Sequence, residues 1–280
     1  MSLGRSLALY VREDVLDTVR ERQFHMLAVV YVGLAILLTY SAANQHPAGS
    51  DNVPEMLQQL LSLFTMLTPL LALAFFATAL VEKRTNGALK IVLGLPFTRR
   101  TVVVGTFLGR SLVVCGTIVA SILAALPVAV LRGVEFDLGH VATATIMLSL
   151  LAVTFTAIAV AISAVVRTTT RATIWAFGVF VLFFFGLWGS LPLALLYVRH
   201  GFSFPETTPE WVDIVAAVNP VAAYTYFFEA VLPDYQAGTL VQPSPDPAFY
   251  EEPTFALAVL VAWIVGPIAF ACWRFRATDL

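Results

Sequence analysis

The sequence predicts an all-α integral membrane protein with six transmembrane helices, and three observations carry that expectation. The 280 residues are 59% hydrophobic and only 12% charged, against about 25% charged in a typical soluble domain, and the mean hydropathy is +0.85. Apolar runs near the roughly 20 residues that cross a hydrocarbon core recur six times along the chain. Lys and Arg are concentrated in alternate connecting segments, which is how a multi-pass chain records its orientation. Residues 1–280 therefore read as one transmembrane domain.

Residues 1–22 place Leu3, Leu7, Tyr10, Val11, Val15 and Val19 near a 3.6-residue period, with charged residues between them. That pattern predicts an amphipathic helix lying along the cytoplasmic interface. A signal peptide ending at Ser41-Ala42-Ala43 is the competing reading. The long leader with four acids and the full-length apolar run argue against it. Residues 24–43 form span one, and the segment 44–55, without Lys or Arg, reads as an outside loop. Span two covers 56–81, with a kink expected at Pro69. Span three covers 101–131, span four 138–166, span five 172–198 and span six 254–275.

The outer segment 199–253 carries its own helix signals. Thr208, Pro209 and Glu210 read as N-cap, first helical position and first-turn acid, and Asn219-Pro220 repeats a start signal for a second helix that Pro233 ends. Val221, Tyr224, Phe228 and Val231 share one face of that second helix. Two short apolar helices outside a bundle predict an interfacial or re-entrant cap on its outer mouth. Residues 234–253, with three prolines, read as linker.

Orientation follows from the segment Glu82 to Arg100, which holds five of the sixteen basic residues. Such a loop stays on the cytoplasmic side. With it inside, fourteen of the sixteen basic residues are cytoplasmic and twelve of the eighteen acids are outside, so six spans with both termini inside satisfy the charge rule. Within the segment, Asn86 reads as an N-cap and Gly87 to Leu95 as a short apolar helix that Pro96 stops. A short apolar helix on a basic cytoplasmic loop can lie on anionic headgroups or dock in the groove of a soluble partner. Spacing alone does not decide between the two.

Glu82, Gly87-Ala88-Leu89, Leu93, Pro96, Arg99 and Arg100 resemble the E…GTL…LL..P..R signature between the second and third spans of ABC-2-type exporter permeases, with Ala88 in place of the usual Thr. Asn219-Pro220 with Tyr224, and the basic ending WRFRATDL, extend the resemblance over nearly the whole chain. Within the family the likeness is nearest to permeases of exporters associated with nitrous-oxide-reductase maturation. The resemblance implies a dimer of membrane subunits, as homodimer or with a paralogue, working with separate P-loop ATPase subunits that hold ATP and Mg. It implies that Glu82, Arg84, Gly87, Leu89, Leu93 and Pro96 couple the chain to that ATPase, and that Asn219, Pro220 and Tyr224 form an outer gate. A side chain at Gly87 is expected to push the coupling helix away from its groove.

The motifs the chain lacks agree with this division of labour. It contains no G-x-x-x-x-G-K-[ST], so no P-loop of its own, and neither H-E-x-x-H nor G-x-S-x-G. No metal-binding set is expected from two dispersed cysteines and five methionines. Acids are absent from the middle of every expected span, which removes the parts of a proton or sodium relay. Arg110 is the one ionisable group well inside a span. It is a functional-site candidate, but near the cytoplasmic end its side chain is expected to snorkel to the interface. Trp175, Phe177, Phe183, Phe184, Phe185 and Trp188 could line a lipophilic path or simply face lipid. The alternatives to an ATP-driven exporter subunit are a non-transporting assembly or lipid-binding protein and an uncoupled channel or carrier. A P-loop ATPase encoded beside this chain separates the first from the others.

Overall fold

The computed structural model describes residues 3–45, 53–89, 97–134, 136–204, 207–241 and 248–276. Among these, regular structure is helical: α1 (Leu3–Arg20), α2 (Arg22–Gln45), α3 (Val53–Phe76), α4 (Ala79–Thr85), α5 (Arg99–Leu131), α6 (Leu138–Val165), α7 (Thr169–Phe184), α8 (Leu187–Arg199), α9 (Glu210–Ala217), α10 (Pro220–Val231) and α11 (Pro253–Arg276). Five stretches are long and apolar enough to cross a membrane, namely α2, α3 with α4, α5, α6 and α11. Two bent pairs, α7–α8 and α9–α10, bring the count to as many as seven if each is one span.

Helix α6 is the hub, packed against α3, α5 and α11. Ala152, Ala157, Ala159 and Ala164 are fully buried on it beside Phe155 and Val160. Small side chains let neighbouring helices approach closely, which in lipid replaces the hydrophobic drive that water would supply. Helix α2 packs on α5 and α3, and the Tyr31 hydroxyl donates to Thr68 Oγ1 at 2.9 Å across the second of these contacts. Thr98 caps α5 by accepting from the Thr101 amide, and Asp137 caps α6 by accepting from His140.

Several elements differ from the sequence-based expectation. Helix α3 runs through Pro69, and the backbone breaks instead at Ala77–Thr78, where the first amides of α4, those of Leu80 and Val81, donate to Ser163 Oγ of α6. Span five is not one helix. It bends by 74° between α7 and α8, because Gly186 stands at φ +72, a left-handed conformation that ends a helix and that glycine takes without cost. The second cap helix starts as read, with Asn219 accepting from the Val221 amide and Pro220 at the first position. The first does not: Pro209 occupies the N-cap position and supplies no side-chain cap, so Thr208 lies one residue outside it. Part of the expected linker is pinned. Gln58 of α3 donates to the Gln236 carbonyl at 2.9 Å and accepts from its amide at 2.7 Å, while Gly238 lies against Ser62 so closely that a Cβ there would meet its backbone.

Helix α1 forms where expected. Its buried face is Ser6, Tyr10, Asp14 and Thr18, one residue per turn, set against α5. Of the apolar set read from sequence, Tyr10 is buried, Leu7, Val11 and Val15 are half-buried and Val19 is exposed, and Leu9 and Leu16 are exposed beside them. The approach is permitted by Gly105 and Gly109 of α5. A Cβ on Gly105 would strike the Tyr10 ring, and one on Gly109 would stand 2.6 Å from Asp14 Oδ2.

Candidate functional site

Helix α4 carries the chain into the basic loop, and its last turn is tied to three other helices, α1, α6 and α11. Lys83 forms an ion pair with Asp14 of α1 and donates to the Tyr10 hydroxyl at 3.2 Å. Tyr10 is in turn 3.2 Å from Thr106 Oγ1 of α5. Arg84 donates to the carbonyls of Val166 at 3.0 Å and Ala164 at 3.1 Å. Those belong to the C-terminal end of α6, whose last carbonyls have no partner within the helix, and a cation there also opposes the negative end of the helix dipole. The Arg84 guanidinium lies 5.4 Å from the centroid of Phe275 in α11, and Arg99 donates to the Phe275 carbonyl at 3.1 Å.

Arg110 does not snorkel. It is 4% exposed, with Nε 3.6 Å from Asp14 Oδ2 and Nη1 3.2 Å from Glu21 Oε2. The cluster thus balances two acids, Asp14 and Glu21, against two bases, Lys83 and Arg110. Buried ions persist only when paired in this way, and deleting one partner leaves an uncompensated charge. The cluster fixes α1, the α1–α2 junction, α4 and α5 to one another.

The coupling residues named from sequence are distributed unevenly around this cluster. Glu82 is half-buried, and its carbonyl accepts from the Asn86 amide at 3.0 Å. Gly87 stands at φ +79 with open space where a Cβ would project. Within this chain its requirement is conformational, a left-handed residue closing α4. Asn86 is the C-cap of α4 and its side chain accepts from the Ala88 amide at 3.0 Å; residues 90–95 of the helix read to start there lie outside the described residues. Leu89 is 1% exposed and buried in a cluster with Tyr10, Leu80, Val103 and Phe275, so its side chain holds the loop to the bundle. Leu93 and Pro96, with Lys90, lie outside the described residues.

At the opposite end of the bundle, Asn219, Pro220 and Tyr224 are all buried. Asn219 Nδ2 donates to the Phe183 carbonyl at 2.9 Å. The indole N–H groups of Trp188 and Trp263 donate to the carbonyls of Val215 and Val218, at 2.7 and 2.8 Å. Three rings, Phe183, Trp188 and Trp263, pack edge to face or tilted at 5.0–6.3 Å between centroids. These groups clamp the α9–α10 elbow, which bends by 82°. The aromatic set read from sequence therefore divides: Phe183 and Phe184 are buried, whereas Trp175, Phe177 and Phe185 are exposed.

Sequence reasoning missed Tyr10, Asp14, Glu21, Lys83 and Ser163. The available signal was Gly105-x-x-x-Gly109 facing a helix with Ser6, Tyr10, Asp14 and Thr18 at four-residue spacing. Among the described residues no three His, Cys, Asp or Glu side chains come together to hold a metal ion.

Comparison with known proteins agrees with this architecture. The chain is 30% identical over 218 residues to the probable ABC transporter permease protein NosY of Stutzerimonas stutzeri, covering 76% of this chain and 77% of that relative. It is 28% identical over 280 residues to the protein of the same name from Pseudomonas aeruginosa, covering 95% and 96%. The family model for ABC-2 family transporter proteins matches residues 9–280. With its apolar helices, the chain belongs to the ABC-2 transporter family and is a multi-pass membrane permease subunit of an ABC transporter.

Proposed function

We propose that the chain is the membrane half of an ATP-driven exporter, oriented with both termini and the α4–α5 loop in the cytoplasm. A separate P-loop ATPase subunit, holding ATP and Mg, docks on that loop. A second permease copy, identical or paralogous, completes the path. The observation that carries this reading is the convergence on the last turn of α4: Lys83 and Arg84 join the loop entry to α1, α6 and α11. A displacement applied to the loop is therefore delivered to the ends of several helices at once. Movement of α6 and α11 then reaches the α9–α10 elbow through Trp263, so that Asn219, Pro220 and Tyr224 open outward.

The test uses the chain co-expressed with the P-loop ATPase subunit proposed as its partner. Arg84→Ala is expected to leave the ATPase bound and abolish the stimulation of its hydrolysis by the permease. Full stimulation in that variant would overturn the coupling role.

A further inference from the structure

Helix α11 borders a cleft of about 530 Å³ on its α5 side. Phe107 and Leu108 of α5 and Val265, Cys272 and Trp273 of α11 form its apolar walls, and Arg100 lines one end. Leu108 lies eight residues beyond Arg100, roughly 12 Å along the helix at about 1.5 Å per residue. That is close to half of a hydrocarbon core about 30 Å thick. The cleft is thus one leaflet deep, with a guanidinium at the end where headgroups lie. Trp273, 66% exposed, is beside it, an aromatic at the level where indoles sit in a bilayer.

We infer that this cleft is a selective site for an anionic phospholipid of the cytoplasmic leaflet, with an acyl chain between α5 and α11 and the phosphodiester on Arg100. Basic pockets between membrane helices recognise acidic headgroups in this way. A larger cleft of about 930 Å³ lies on the α6 side of α11, and no charged residue lines it. It supplies an internal control, because it has the apolar walls without the cation. A second copy of the chain is a poorer occupant of the Arg100 cleft, since an isologous contact repeats the same cation on both sides.

The inference rests on the proposed orientation only for the leaflet, so sidedness is read separately, by labelling a cysteine introduced at the exposed Thr85 in inverted vesicles. The binding test is made on the full chain in nanodiscs. Quenching of Trp273 is measured as the difference between the parent and Trp273→Phe, using brominated phosphatidylglycerol or brominated phosphatidylcholine at equal mole fraction. A preference of ~fivefold for the anionic lipid is expected from one basic residue near a headgroup. Arg100→Gln is expected to abolish the preference and Arg100→Lys to keep most of it, while Trp263 in the control cleft shows none. Equal quenching by the two lipids, or an unchanged preference in Arg100→Gln, would overturn the site. So would efficient Cys272–Cys272 cross-linking between copies in a Cys115→Ala background, because the cleft would then hold protein. Should Arg100→Gln fold poorly, Ala269→Trp fills the cleft without touching the cation and is expected to remove the same preference.

Discussion

The two ends of the bundle are fastened by different chemistry. At the Lys83 end, helices α1, α4 and α5 are joined by two acids and two bases, of which Asp14 and Arg110 are buried and Glu21 and Lys83 half-buried. At the Asn219 end, α7 to α11 are joined by neutral donors, two indoles and one amide, onto main-chain carbonyls left open where helices break. The neutral clamp satisfies groups that a bent backbone exposes in lipid. The charged cluster satisfies no backbone at all. It holds together helices that have few apolar contacts to offer, since α1 meets α5 through Ser6, Tyr10, Asp14 and Thr18. One end is thus rigid through paired charge at the point where a partner would pull, and the other through hydrogen bonds around elbows that can turn.

The contrast is broken most directly by removing one ion. Asp14→Ala leaves Lys83 and Arg110 facing each other without their shared acid and is expected to cost about 3–5 kcal/mol, read as a large fall in thermal midpoint of the purified chain. Gly105→Ala drives a methyl into the Tyr10 ring and is expected to cost about 1–3 kcal/mol. Gly116→Ala, where a Cβ meets open space, is the matched control and leaves stability unchanged or raises it. At the other end Asn219→Ala removes a cap and the bond to Phe183, and is expected to cost about 1–2 kcal/mol. Asn219→Asp, which keeps the cap acceptor but loses the donor, is expected to cost less. The smallest effect concerns pH. The backbone amides of His140 and Gly139 hold the exposed Asp137 carboxyl below its usual range. Its contribution to the α6 cap is complete above the ordinary carboxylate range and disappears as pH falls through the lowered value. Asp137→Ala is expected to flatten the acid limb of the unfolding midpoint, and an unaltered limb would remove this residue from the account.

The spans were legible because length and apolarity are local properties, and α2, α5, α6 and α11 fall within a few residues of the expected boundaries. Asn219-Pro220 was legible because its side-chain cap and its proline act on adjacent backbone. The failures share a cause. Apolar composition runs unbroken through Phe185 and Gly186, and only the left-handed glycine reveals the 74° bend. The burial of Leu89 was not legible because it depends on Tyr10 and Phe275, distant in sequence. Arg110 was read as snorkelling for the same reason, since its acids lie 89 and 96 residues away, at Glu21 and Asp14. Long-range charge pairing leaves no periodicity to read.

The central claim is that the chain is driven from the loop that α4 enters. A single cysteine introduced at the exposed Asn86, in a chain lacking Cys115 and Cys272, measures this most directly by membrane-impermeant labelling. Rapid labelling in inverted vesicles, silence in intact cells and protection when the ATPase subunit is added back are the expected results. Labelling from outside intact cells, or labelling from inside that the ATPase leaves unaltered, would contradict the account.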